Sequence, residues 1–197
     1  MVRIRIKKLF ILHQHENSMF FDSNFKEIIS SQIVSMIVGL AAGTLLAIYT
    51  DKILLIPGML LLLPGFLELR GNISGSFASR LSSGMYLNVI NPKRLNTKII
   101  RNNLLASFLL VIIVCLALGF IIFVFDYFFF GIYMPRIILL PLIAGVIANA
   151  IEITITLFST AYFFRKGHDP NNLMGPIITS TGDVTSIISI FIAILII

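Results

Sequence analysis

Ionised side chains are scarce in this sequence. They make up 12% of its 197 residues against 57% apolar ones, and the mean hydropathy is +0.98. A water-soluble domain of that length needs a mostly polar skin, so the composition excludes a single soluble core and places the chain in a bilayer. Cysteine is nearly absent too. Cys115 stands alone in an apolar run, which rules out a disulfide within the chain, leaves no thiolate cluster for a metal and points to packing. His13, His15 and His168 lie in tails or loops without metal-ligand spacing. The basic N-terminal stretch lacks an uninterrupted apolar run followed by a small-residue cleavage site, so a removed signal peptide is not expected. Low-complexity tracts and long linkers are also missing.

What the sequence has in abundance is apolar segments of the length, about 20 residues, that crosses roughly 30 Å of hydrocarbon. Five can be drawn, over residues 27–49, 53–86, 103–125, 136–164 and 173–197. They predict an all-α polytopic membrane protein with five transmembrane helices, a membrane domain over 27–197 and a short basic segment over 1–26. That segment is too short to fold alone, and its "VRIRIK" alternation suits an interfacial anchor. Lysine and arginine divide 11 to 2 between alternate connections: Arg3, Arg5, Lys7, Lys8, Lys26, Lys93, Arg94, Lys98, Arg101, Arg165 and Lys166 against Lys52 and Arg136. The bias predicts a cytoplasmic N-terminus and an external C-terminus. The formal charge of +6 therefore follows topology, and its expected counterpart is anionic membrane lipid, not nucleic acid.

A few polar groups remain inside the spans: Glu68, Arg70, Asn72 and Arg80 in the second, Asn149 and Glu152 in the fourth, Asp183 in the fifth. A charge at the bilayer centre costs at least about 2.5 kcal/mol, so each needs a partner, a wet cavity or a task. Asp183 lies ten residues beyond Leu173, about 15 Å into the membrane at the helical rise. In the second segment the Pro57-Gly58 and Pro64-Gly65 pairs predict a bent or loop-like start, which brings Glu68 to Asn72 near the same depth. The chemistry this suits is capture of a hydrated divalent cation. Mg²⁺ dehydrates reluctantly and is held by one or two carboxylates plus neutral oxygens. Asp183 supplies charge, while Asn72 and main-chain carbonyls freed by Gly71, Gly75 and Gly182 supply neutral oxygens; no organic cofactor is called for. Thr179 and Asp183 stand four residues apart, with Ser186 expected near the same face.

Each group also has a structural reading. The Gly71/Gly75 spacing allows close helix packing, Arg70 can neutralise Glu68 or Glu152, and Arg80 can snorkel to the cytoplasmic end. Asn149 and Glu152 can join helices by hydrogen bonds, and Asp126 and Asp51, at span ends, are expected to be solvated. Asp183 has no cation in its own span and is the strongest functional candidate.

The blocks "LPGFLELRGNISGSFASRLSSG" and "DPNNLMGPIITSTGDVTS", with the five-span layout, resemble the membrane domain of the MgtE magnesium transporters and the MgtE-related solute carriers. The resemblance implies a symmetric homodimer with a cation path on its two-fold axis, lined by spans two and five, that carries hydrated Mg²⁺. It carries the family's span-five carboxylate onto Asp183, its Gly-Asn pair onto Gly71 and Asn72, and the opening of span five onto Asp169, Pro170, Gly175 and Pro176. Asp169 would attract cations at the cytoplasmic mouth. Arg70 stands where bacterial members have glycine, and the family's long cytoplasmic magnesium-sensing region has no counterpart in these residues. Two rival readings are a non-transporting helper subunit, whose intramembrane charges form closed ion pairs with no wet cavity, and an intramembrane aspartyl protease. The protease reading rests on "STGD" and needs a second Asp at the same depth, for which Asp126 is the best candidate.

Overall fold

A computed structural model describes residues 23–197. The expected anchor at the start of the chain, with His13 and His15, lies outside the described residues. Their regular elements are all helices: α1 (Ser23–Ile48), a short α2 (Thr50–Leu54), α3 (Met59–Tyr86), α4 (Lys98–Phe130), a 3₁₀ turn (Pro135–Ile138), α5 (Leu139–Lys166) and α6 (Pro170–Ile196). Four helical stretches are long and apolar enough to cross a membrane: Phe25–Ile48, Lys98–Phe130, Pro135–Lys166 and Pro170–Ile196. The fifth long helix, α3, has the length, but Glu68, Arg70 and Arg80 and its glycines and serines dilute its apolar character.

The helix ends follow local chemistry. Pro57 cannot donate a main-chain hydrogen bond and disfavours helical geometry in the residue before it; Gly58 then takes a left-handed φ of 75° and starts α3. Thr97 caps α4 by accepting from Ile100 N at 3.4 Å. Gly131 and Gly167, at φ 66° and 82°, end α4 and α5 in the conformation glycine adopts without a Cβ penalty. Asp169 caps α6 through Oδ1, 2.9 Å from Asn171 N, with Pro170 in the first turn.

The second Pro-Gly pair behaves otherwise than the sequence predicts. α3 runs unbroken through Pro64 and Gly65 to Tyr86, so Glu68 to Asn72 lie on regular helix. The missing rung falls on the open face of α3: Pro64 is exposed and lines the cavity, and Leu60, whose carbonyl loses its donor, is exposed too, while Leu62 and Phe66 on the other face are fully buried. Gly71, Gly75 and Gly182 are helical as well. Their carbonyls belong to the helical ladder and are not released by irregular backbone.

α6 packs against α1, α3 and α5, and α5 in turn against α3 and α4. Small residues let these helices approach. A Cβ on Gly145 would lie 2.5 Å from Cys115 Sγ, and one on Gly119 2.5 Å from the Ile138 carbonyl oxygen. Cys115 is buried in that contact, which is the packing role its setting implied. α1 packs mainly on α6, and near its start Glu27 Oε1 lies 2.6 Å from His168 Nδ1 in the α5–α6 turn.

Asp126 is a correction. Expected to be solvated, it is 1% exposed and neither carboxylate oxygen has a hydrogen-bond partner. It is enclosed because the α2–α3 turn folds over it: a Cβ on Gly58 would meet its Oδ2 at 2.4 Å. Asp51 is exposed, as expected.

Candidate cation site

α3 and α6 face one another across a cavity of about 470 Å³ lined by Glu68, Arg70, Gly71 and Asn72 from the first and by Thr179 and Asp183 from the second. The register follows from helical spacing. Glu68 and Asn72, and Thr179 and Asp183, are one turn apart and so share a face. Where Gly71, Gly75 and Gly175 reach the cavity, an added Cβ would meet nothing within 4 Å, so the glycines widen it. Water occupies roughly 30 Å³ per molecule in the liquid, so the space holds a dication with an octahedral water shell.

Within this wall the polar atoms divide into engaged and available ones. Asn72 Nδ2 donates to Glu68 Oε1 at 3.1 Å, which fixes the amide and leaves its carbonyl oxygen as the acceptor. Thr179 donates to the Gly175 carbonyl at 3.0 Å, so its lone pairs remain. Asp183 is half-buried and makes no ion pair among the described residues. The described residues also contain no group of three or more His, Cys, Asp or Glu side chains close enough to enclose a bare metal. One carboxylate with neutral oxygens around it suits an ion that keeps its waters.

Behind the cavity stands a closed polar network. Arg70, 3% exposed, has Nη2 3.5 Å from Oε2 of Glu152, which is fully buried, and Nη1 donates to Thr185 Oγ1 at 3.1 Å. Thr181 and Thr185 donate to the two oxygens of Glu152 at 3.1 and 3.3 Å. Of the two partners open to Arg70 from sequence, Glu152 is the one engaged. Sequence reasoning overlooked the threonines, although they flank Asp183 one turn apart, the spacing that aims both at one neighbour.

The site residues named from sequence separate accordingly. Asp183, Asn72, Gly71 and Thr179 line one cavity; Asp169 does not, serving instead as the cap of α6. Ser186, expected near the Thr179–Asp183 face, is fully buried with an unpartnered hydroxyl, because the three-residue step from Asp183 turns it into the bundle. Asn149 is buried with its amide nitrogen unpartnered, and Arg80 reaches Ser107 at 3.4 Å.

Long apolar helices with a polar, carboxylate-bearing cavity between two of them are the features of a polytopic membrane protein. Residues 63–193, more than half of the chain, match the MgtE family, described as divalent cation transporters, and the protein belongs to that family. It is a membrane transport protein of a family that is not enzymatic, which disposes of the protease reading. No curated protein and no solved structure matches the chain.

Proposed function

We infer that the protein carries Mg²⁺ across a cell membrane as a symmetric homodimer of five-span protomers, N-terminus cytoplasmic and C-terminus external. In this reading α3 is the second span and α6 the fifth, and residues 27–197 form the transport domain. Asp183 from both copies faces the two-fold axis, setting two formal negative charges opposite a hydrated dication. Asn72 accepts hydrogen bonds from the ion's waters through its carbonyl oxygen, Thr179 adds a hydroxyl oxygen, and Gly71 leaves room for the water shell. Asp169 draws cations to the cytoplasmic mouth.

The observation that carries this is the convergence of Asp183, Asn72 and Thr179 on one open cavity whose glycines leave its floor bare. The helper-subunit reading requires closed ion pairs and no wet space; of the charges that line the cavity, Glu68, Arg70 and Asp183, Arg70 alone is ion-paired among the described residues, to Glu152 behind it. Mg²⁺ flux into sealed vesicles tests the proposal. With Asp183→Asn or Asp183→Ala in a folded protein, flux is expected to collapse. Flux equal to the parent's in both variants would overturn the assignment.

A further inference from the structure

Arg70 is a charge the cation site does not need. A cation transporter gains nothing obvious from a guanidinium in its cavity wall, yet this one is held from three sides. Glu152 lies 3.5 Å from Nη2, Thr185 receives Nη1 at 3.1 Å, and the missing Cβ of Gly182 makes the space it occupies: a methyl there would stand 2.6 Å from Nη2. Its Nε has no partner, so the side chain is fitted by its fork. Arg70 lines the cavity and Glu152 does not, and Asp183 lines the same cavity from α6. The positive end of the pair is therefore the one the ion meets.

We propose that Arg70 is a positioning residue of the cation site: gripped by Glu152 and Thr185 and seated on Gly182, it stands as a fixed counter-charge beside Asp183 and keeps cation binding weak enough for release. The proposal rests on the reading of Asp183 as the ion's central partner. Conduction or transport needs a site that is attractive enough to fill and weak enough to empty. A fixed positive charge opposes a dication twice as strongly as a monovalent ion, so it acts most on the cargo that two carboxylates would otherwise trap. Arginine suits the task better than lysine, because its planar fork engages Glu152 and Thr185 at once and holds the charge in place.

The test is Mg²⁺ flux against Mg²⁺ concentration in vesicles containing the full chain. Arg70→Gln with Glu152→Gln removes both charges and keeps polar groups in their place; Thr181 and Thr185 retain the Ile177 and Gly182 carbonyls as acceptors. A second pair, Arg70→Met with Glu152→Leu, guards against misfolding, since buried ion pairs are often replaced by apolar residues without loss of stability. The half-saturating concentration is expected to fall by at least about fivefold in either folded pair, with a lower maximal flux. Arg70→Lys with Glu152 intact is expected to recover most of the parent's half-saturating concentration. A folded charge-free pair whose half-saturating concentration equals or exceeds the parent's would overturn the proposal. Asp183→Asn in parallel separates the two claims: if it leaves flux intact, the cation-site reading fails first, whatever the Arg70 variants do.

Discussion

At the residue scale, two carboxylates of the same type have opposite settings. Asp183 is half-buried beside open volume, whereas Asp126 is enclosed with neither oxygen bonded. The first is the proposed partner of a hydrated ion; the second is shut under a turn. Asp183→Asn is expected to lower Mg²⁺ flux at least about tenfold, which corresponds to roughly 1.4 kcal/mol of lost cation stabilisation. Asp169 allows a cap to be separated from a charge. Asp169→Asn keeps an oxygen for Asn171 N and is expected to melt with the parent while reducing flux at low Mg²⁺; Asp169→Ala is expected to lose about 1 kcal/mol of stability as well. Equal flux for Asp169→Asn and the parent would confine this residue to capping. The placement of Asp183 beside a polar space was legible in the sequence because an acid ten residues into an apolar run needs a partner or a wet cavity. The burial of Asp126 was not, since it depends on a distant turn whose Gly58 has no Cβ to hold it off.

At the element scale, close approach governs. The α4–α5 crossing depends on Gly145 accepting Cys115: an added Cβ would lie 2.5 Å from Sγ but 3.6 Å from Cys115 Cβ. Gly145→Ala is expected to cost about 1 to 3 kcal/mol by overpacking. Adding Cys115→Ala removes the offending sulfur and is expected to restore most of the lost melting temperature; a double variant no more stable than Gly145→Ala would show that the crossing is set elsewhere. Helix periodicity predicted that Thr179 and Asp183 share a face, and they do. It could not settle Ser186, because rotation about α6 is fixed by what packs behind it. Pro64 misled for a related reason: sequence shows the missing donor but not that it falls on the open face of α3, while Leu62 and Phe66 anchor the other face in the core.

At the scale of the whole molecule, the charge bias of the connections and the mixed polarity of α3 support the proposed topology. Four stretches qualify as spans by apolarity alone; the proposed fifth, α3, shares the cavity with α6 and gives it Glu68, Arg70 and Asn72, the polar residues that lower its apolarity. In a Cys115→Ala background, a membrane-impermeant thiol reagent is expected to label Asn91→Cys from the cytoplasmic side only and Tyr133→Cys from the external side only; both positions are exposed. Labelling of both from one side would refute five spans. The account turns most directly on where the dication sits. In crystals of the full chain grown with Mn²⁺, the anomalous difference map is expected to peak about 4 to 5 Å from the Asp183 carboxylates of two facing copies, the separation of an ion whose waters are kept. A peak remote from Asp183, with that side chain turned to lipid or locked onto Arg70, would contradict it.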